Sequence, residues 1–205
     1  MQIVIIDYGM SNLGSITNAL GECGGENVIV SDDPRKLKVA THIILPGVGS
    51  FKDGIDNLVK SGFKDAIRDA VCQDNIPILG ICLGMQLLAD KGFEGGEVEG
   101  LGLIPGIVDR LKPASKSQRI PHVGWNEVSI TKSSSLFAGI PTGTDFYFVH
   151  SYHFIVKNEA NVLATTPYCG SFTSAVGKNN IYGTQFHPEK SQRPGFQLLK
   201  NFINL

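Results

Sequence analysis

The residue with the clearest chemical potential in this sequence is a cysteine between two glycines. Cys82 lies in Gly80-Ile81-Cys82-Leu83-Gly84, after the apolar run Ile76 to Ile81 and before the helical pattern of Leu83 to Leu88. A sharp strand-to-helix turn exposes a nucleophile, and the glycines leave room for that turn. The first turn of a helix also favours a thiolate. We therefore predict that Cys82 is a nucleophile, although free cysteines are also common as small core residues.

A thiol nucleophile needs a base, and His187 stands at the predicted end of a strand, followed by Pro188 and Glu189. The proline fixes the turn, so that both flanking side chains can reach one pocket. A carboxylate beside an imidazole holds the ring in one tautomer. Alone, this tripeptide is also typical of a surface turn. Together with Cys82, it predicts a Cys–His–Glu catalytic set.

The third motif is Pro46-Gly47-Val48-Gly49, which directly follows the apolar strand His42 to Leu45. Gly47 and Gly49 allow a backbone amide near Val48 to turn toward a bound oxygen, as an oxyanion hole requires. The second donor would be the N–H of Leu83, the residue after the nucleophile. An ordinary turn remains the alternative, and the motif lacks the third glycine of a dinucleotide-binding fingerprint.

The sequence offers no pattern typical of a metal site or a cofactor site. His150 and His153 fall on opposite faces of an extended segment and are poor metal ligands as a pair. The cysteines have no paired spacing; they are Cys23, Cys72, Cys82 and Cys169. We expect free thiols, a cytoplasmic location, no metal and no cofactor.

The elements that must position these residues change character along the chain. The first half alternates apolar strands with helical patterns, which predicts a parallel sheet covered on both faces. The predicted strands there are Ile3 to Ile6, Asn27 to Val30, His42 to Leu45 and Ile76 to Ile81, and the predicted helices are Leu13 to Leu20, a short turn from Pro34, Phe51 to Val59 and Phe63 to Cys72. The second half predicts short strands at Ile107 to Arg110, Glu127 to Ile130, Phe146 to Val149, Tyr152 to Val156, Val162 to Thr165, Phe172 to Val176 and Ile181 to Gln185, and a final helix at Phe196 to Phe202.

Length and composition agree with one α/β domain over residues 1–205, a mostly parallel central sheet flanked by helices with β-hairpins added in the C-terminal half. The 18 basic and 19 acidic side chains give a net charge of -1, which removes the electrostatic case for nucleic acid or an anionic membrane as the main partner. No apolar run is long enough to span a membrane. Glycine is abundant, at 24 residues, which indicates tight turns and close backbone approaches.

With these motifs in this order, the chain resembles the class I (triad) glutamine amidotransferases over essentially its whole length. Within them it looks most like the glutaminase subunits of imidazole glycerol phosphate synthase, enzymes of histidine biosynthesis. The segments that carry this resemblance are Asp7 to Leu13, Pro46 to Gly49, Gly80 to Leu88, Gly100 to Gly106, Pro121 to Asn126, Phe146 to Tyr152 and Gln185 to Ser191.

The resemblance implies that Cys82 attacks the side-chain amide of glutamine, that His187 shuttles the proton, and that Glu189 orients His187. The amides of Val48 and Leu83 would stabilise the oxyanion. The amino-acid end of the substrate would be held by Gly47, Gln86 and Glu94, and by backbone around His150, Ser151 and Tyr152.

The resemblance also implies a partner, since the ammonia passes to a (β/α)₈ cyclase subunit in a heterodimer. Positions at or near that interface are matched by Asn12, Trp125, Tyr147 and Lys190. Ser11 and Gly14 depart from the usual pattern close to this face. One alternative is therefore a related glutaminase that feeds a surface-sugar amidotransferase. A non-catalytic scaffold and a cysteine hydrolase acting alone are two further alternatives. We also expect low basal activity, because a glycine-rich oxyanion loop can rest in an unproductive conformation until the partner docks.

Overall fold

A large mixed sheet forms the centre of the protein in a computed structural model that describes residues 1–115 and 118–205. The strands are β1 (Ile3–Ile6), β2 (Val28–Ser31), β3 (His42–Gly47), β4 (Ile78–Cys82), β5 (Lys91–Gly92), β6 (Val98–Glu99), β7 (Gly106–Arg110), β8 (His122–Ile130), β9 (Thr144–His150), β10 (Tyr152–Val156), β11 (Val162–Thr166), β12 (Phe172–Lys178) and β13 (Ile181–Thr184). The α-helices are α1 (Leu13–Glu22), α2 (Phe51–Lys60), α3 (Phe63–Cys72), α4 (Leu83–Leu87) and α5 (Gln192–Ile203). Short 3₁₀ helices cover Pro34–Val39, Ser135–Phe137, Glu159–Asn161 and Pro188–Lys190.

The nine strands of the main sheet run in the order β2-β1-β3-β4-β13-β12-β11-β8-β9. The first five are parallel to one another, and the strands from β12 onward pair antiparallel. This confirms the predicted α/β fold, with a parallel centre and antiparallel strands from the second half of the chain. Because β4 and β13 are parallel neighbours, the segments after their carboxyl ends, which carry Cys82 and His187, emerge at the same edge of the sheet.

Apolar side chains cover both faces of this sheet. One core layer contains Phe51, Leu58 and Phe63 of α2 and α3, and the opposite layer contains side chains of α1 and α5 such as Leu20 and Phe202. Each of these helices therefore buries one apolar face against the strands, as the spacing of its apolar residues predicts.

A second, four-stranded sheet in the order β10-β7-β5-β6 was not predicted. Two of its strands have only two residues, which is too short to show an alternating pattern. β8 also begins at His122, five residues before its predicted start, because Val123 and Trp125 are apolar but exposed and therefore break the expected alternation. The last helix begins at Gln192, with Pro194 in its first turn, where proline is tolerated.

Candidate active site

Cys82 occupies the predicted sharp turn between β4 and α4. Its backbone has φ 55° and ψ -109°, a conformation that residues other than glycine rarely adopt. The turn depends on Gly80 and Gly84: a Cβ on Gly84 would collide with the Leu45 carbonyl, and one on Gly80 would lie 2.6 Å from the Gly84 oxygen. Cys82 is 7% exposed. The two glycines thus let strand and helix approach closely enough to form the strained turn that places the Cys82 sulfur at the edge of the sheet.

The side chains of His187 and Glu189 form a buried pair at the end of the neighbouring strand. His187 Nδ1 lies 2.8 Å from Glu189 Oε1, and the side chains are 3% and 6% exposed. Burial lowers the pKa of His187, but the interactions with Cys82 and with the Glu189 carboxylate outweigh it and raise that pKa to about 10. His187 Nε2 is buried and has no hydrogen-bond partner of ordinary geometry. An imidazolium at this place can give a proton to a group that enters the cavity.

Backbone contacts fix the position of His187. Its N–H donates to the Tyr147 carbonyl at 2.9 Å, and its carbonyl accepts from the Ser191 hydroxyl at 2.6 Å. The same hydroxyl accepts from the Tyr147 N–H at 3.0 Å. The sequence indicates Ser191 only as the last residue of the segment Gln185 to Ser191, because its contacts depend on strand β9, which is distant in sequence.

One cavity of about 360 Å³ brings the predicted residues together. Its lining consists of Val48, Gly49, Cys82, Leu83, Gln86, Glu94, Pro121, Val149, His150, Ser151, Tyr152 and His187. Gly47 and Glu189 lie beside it, along a small crevice that Asn12 and Lys190 also line. A larger cavity of about 580 Å³, next to His153 and Lys132, is lined by none of the predicted catalytic residues. The smaller cavity, which is lined by the predicted nucleophile and the predicted base, is therefore the candidate active site.

The two predicted oxyanion donors are in different states. Leu83 is the first residue of α4, so its N–H has no acceptor within the helix. The N–H of Val48, in contrast, donates to the Met10 carbonyl at 2.8 Å. Gly49 beside it has φ +111°. A substrate oxyanion can use the Val48 amide only after that hydrogen bond breaks.

Gln86 lies deep in the site and is almost fully buried. Its Nε2 donates to the Tyr152 carbonyl and to Gln185 Oε1, both at 3.0 Å. Gln185 Nε2 in turn lies 3.7 Å from the Cys82 sulfur. The sequence analysis gives Gln185 no role of its own, although its position at the end of a predicted strand, two residues before His187, is a signal that points to it. This chain of amides connects the predicted glutamine-binding residues to the nucleophile.

Glu94 reaches the cavity from the segment between β5 and β6. Its Oε2 accepts from the Phe51 N–H, at the start of α2, at 3.0 Å. Burial raises the pKa of this carboxyl group. Glu94 therefore faces the cavity while it is tied to the N-terminus of a helix, which makes its position well defined.

The predicted interface residues form one patch beside the crevice. The rings of Trp125 and Tyr147 meet edge to face, with centroids 6.1 Å apart, and Lys190 Nζ lies 6.0 Å from the Tyr147 ring centre. Trp125 is 49% exposed and Val48 is 44% exposed. An exposed aromatic and aliphatic patch beside the catalytic residues is typical of a protein-binding face.

Neither a metal cluster nor a membrane-crossing helix occurs in the part of the chain that the structure describes. Among residues 1–115 and 118–205, no three His, Cys, Asp or Glu side chains are grouped as a metal site. No helix in these residues has the length and apolar character needed to cross a membrane.

Comparison with known proteins places this geometry in a family. The family profile "Glutamine amidotransferase class-I" matches residues 4–205. The chain is 50% identical to "Imidazole glycerol phosphate synthase subunit HisH" of Moorella thermoacetica over 203 residues, which covers 99% of this chain and 94% of the relative. It is 47% identical to "Imidazole glycerol phosphate synthase subunit HisH 2" of Methanococcus maripaludis over 201 residues, which covers 98% of each.

Solved structures support the same fold at lower sequence identity. PurLQS from Thermotoga maritima superposes with a TM-score of 0.74 at 20% identity, which covers 99% of this chain and 97% of that one. A second structure, described as a glutamine amidotransferase, also has a TM-score of 0.74 at 20% identity and covers 96% of this chain and 98% of that one. At this identity the similarity concerns the fold alone.

Proposed function

The chain belongs to the class I glutamine amidotransferase family, and from this premise we propose that it is the glutaminase subunit of imidazole glycerol phosphate synthase. It hydrolyses glutamine to glutamate and ammonia and delivers the ammonia to a (β/α)₈ cyclase in a cytoplasmic heterodimer. The cyclase uses it to form imidazole glycerol phosphate and AICAR in histidine biosynthesis. The full-length similarity to relatives named HisH favours this function over the supply of ammonia to a surface-sugar amidotransferase.

The observation that carries the proposal is that Cys82 and His187 line one cavity, while Glu189 contacts His187 from beside it. The His187–Glu189 contact of 2.8 Å and the strained Cys82 backbone serve no evident purpose in a scaffold protein. Backbone strain is costly and persists chiefly where a function uses it. This weighs against a non-catalytic module that has only kept the fold.

The reaction follows from the chemistry and the placement of these groups. The Cys82 thiolate attacks the amide carbon of glutamine, and the carbonyl oxygen becomes an oxyanion beside the Leu83 N–H. His187 gives its Nε2 proton to the leaving nitrogen, so that ammonia departs and a thioester remains. His187 then takes a proton from water, whose oxygen attacks the thioester and releases glutamate and the thiolate. Glu189 keeps the imidazole ring oriented through both steps.

The Val48 amide explains why a partner would control this reaction. While its N–H donates to the Met10 carbonyl, the oxyanion hole has only the Leu83 donor. Val48 is exposed and lies on the same crevice as Asn12 and Lys190. A cyclase that docks on the Trp125–Tyr147 patch would touch this crevice and can shift the loop into the productive conformation.

The proposal is tested by glutamine-dependent synthesis with the cyclase and its nucleotide substrate present. The wild-type complex should release glutamate and form imidazole glycerol phosphate in equal amounts. Cys82→Ala should abolish the glutamine-dependent reaction while synthesis from added ammonium salt continues. Glutamate release that persists in Cys82→Ala would contradict the assignment of the nucleophile.

The identity of the partner is tested separately by co-purification from the native source. Recovery of a (β/α)₈ cyclase supports the proposal, and recovery of a sugar-modifying enzyme would replace it with the alternative. Rapid glutamine hydrolysis by the isolated chain, unchanged by the cyclase, would indicate a hydrolase that acts alone.

A further inference from the structure

Two buried histidines lie at the glutamine pocket, which His150 itself lines, and the chemistry above gives their imidazole rings no role. His122 of β8 and His150 of β9 are cross-strand neighbours, and His122 Nδ1 lies 3.0 Å from His150 Nε2. They are 4% and 5% exposed. Two imidazoles in direct contact in a protein interior must share their protons in a defined way, because each ring nitrogen either donates or accepts.

The surrounding groups determine where each proton lies. His150 Nδ1 is 2.8 Å from the Tyr152 carbonyl, which can only accept, so this nitrogen carries a proton. In a neutral ring, His150 Nε2 is then an acceptor, and His122 Nδ1 must be the donor to it. His122 Nε2 is left as an acceptor and lies 3.2 Å from Asn126 Nδ2. Every donor in this series finds an acceptor.

The orientation of the Asn126 amide is set independently. Its Oδ1 accepts from the Glu127 N–H at 2.9 Å, so its Nδ2 is the atom that points at His122. The direction of the whole series therefore does not depend on an arbitrary choice between the amide oxygen and nitrogen.

Burial keeps both rings neutral at physiological pH. It lowers the pKa of His122 to about 4 and that of His150 to about 3. The His122 ring also stacks on Tyr168, with ring centres 4.0 Å apart, and on Phe148 at 5.0 Å. His122 is thus held in one orientation by packing as well as by hydrogen bonds.

One end of the series reaches the predicted substrate pocket. The Tyr152 carbonyl accepts from His150 Nδ1 and also from Gln86 Nε2, at 2.8 and 3.0 Å. Tyr152 and Gln86 both line the cavity that contains Cys82. Whatever holds the Tyr152 peptide in place therefore also holds the Gln86 side chain.

We propose that His122 and His150 are positioning residues that hold the Tyr152 peptide, and through it Gln86, in the geometry that binds glutamine. This inference rests on the proposed function and deepens it. Neither imidazole donates to or accepts from the substrate in this role. The pair acts by presenting the His150 Nδ1–H to the Tyr152 carbonyl in one fixed direction, so its loss weakens glutamine binding more than it slows the chemical step.

Two substitutions of His122 form a matched pair for the test. His122→Asn places an amide donor near the former Nδ1 and keeps the hydrogen bond to His150, whereas His122→Phe keeps an aromatic ring but has no donor. We expect His122→Phe to raise the KM for glutamine in the cyclase complex by roughly three- to tenfold, the worth of one neutral hydrogen bond. Its kcat should change less than twofold, and His122→Asn should restore KM to within about twofold of wild type, since the donor is kept.

A second measurement does not depend on catalysis or on a partner. Nitrogen-15 NMR of the isolated wild-type chain at pH 7 should show His150 protonated at Nδ1 and bare at Nε2, with a coupling across the hydrogen bond from His122 Nδ1. Calorimetric titration of glutamine into Cys82→Ala chains with and without His122→Phe then gives the dissociation constants directly. Binding in the double variant should be weaker by the same three- to tenfold factor, for the same lost hydrogen bond.

Several results would overturn the inference. They are a charged or Nε2-protonated His150, an unchanged KM and dissociation constant in His122→Phe, or equal increases in His122→Phe and His122→Asn. If His122→Phe does not fold, Asn126→Leu replaces it, because this variant removes the donor to His122 Nε2. A changed NMR coupling between the two histidines then supports the inference, and an unchanged coupling contradicts it. A wild-type complex that leaves glutamine intact would instead refute the proposed function, and the NMR measurement would still decide the protonation of the pair.

Discussion

Replacement of Glu189 by glutamine tests whether the buried carboxylate sets the protonation of His187. In the structure its Oε1 lies 2.8 Å from His187 Nδ1, and both side chains are almost fully buried. Burial opposes the charged ring, and the interactions with Cys82 and Glu189 raise the His187 pKa to about 10 against it. Glu189→Gln keeps the shape and an acceptor oxygen but removes the negative charge of the carboxylate.

The size of the effect follows from the kind of hydrogen bond that is lost. A hydrogen bond to a charged group contributes about 1.5–3 kcal/mol and a neutral one about 0.5–1.5 kcal/mol. The imidazolium therefore loses about 1–1.5 kcal/mol of stabilisation, which corresponds to about one pKa unit. Because the folded-state pKa falls, the alkaline limb of kcat/KM for glutamine should move to lower pH by the same amount.

The assay is a nitrogen-15 NMR titration of the His187 ring in the isolated chain, together with the pH profile of the cyclase complex. Glu99→Gln, an exposed carboxylate away from the cavity, is the control and should change neither. Cys82→Ala should also lower the His187 pKa, because the interaction with Cys82 is the other one that raises it. A His187 pKa that stays the same in Glu189→Gln would refute the reasoning.

Three further predictions concern activation, packing and acid stability. Docking of the cyclase should raise the kcat for glutamine by about 10²–10³, which is the usual effect of one oxyanion donor. The Val48 amide should at the same time lose its protection from hydrogen exchange, and full protection in an active complex would contradict this. Gly84→Ala should lower the free energy of unfolding by at least about 2 kcal/mol in urea titrations, because its Cβ would meet the Leu45 backbone. In Gly21→Ala on α1, where nothing lies within 4 Å, that free energy should instead rise by about 0.5–1 kcal/mol. The pKa values of His122 and His150 are lowered from 6.5 to about 4 and about 3 in the folded chain. The free energy of unfolding should therefore fall as the pH drops from 6.5 toward those values, because the unfolded chain then binds more protons than the folded one. His122→Phe should remove about 1.4 kcal/mol per pH unit from that slope between about pH 4 and 6.5, and an unchanged slope would show that His122 is protonated in the folded state.

Most of the parallel half of the fold could be predicted from the sequence, because its signals are local. The strand Ile3–Ile6 and the helix Phe63–Cys72 have the predicted bounds, since apolar runs and helical spacing directly reflect burial on two faces or on one. The second sheet could not be predicted, because Lys91–Gly92 and Val98–Glu99 are strands only by virtue of their neighbours.

The candidate site divides in the same way. The turn at Cys82, the glycines around it and the spacing of His187 and Glu189 are properties of short segments, so their chemistry is readable from residue types and order. The two segments share one cavity because β4 and β13 are parallel neighbours. The sequence indicated this pairing only through the resemblance to a known family.

What only the tertiary structure decided is which groups distant in the chain share hydrogen bonds. The Val48 amide is occupied by the Met10 carbonyl, Gln185 links Gln86 to the Cys82 sulfur, and His122 meets His150 across two strands. None of these contacts leaves a periodic signal, because each depends on strand register and loop conformation rather than on spacing. The sequence by itself indicated the candidate reactive groups, and the packing of distant segments determined which hydrogen-bond partners those groups and their neighbours have.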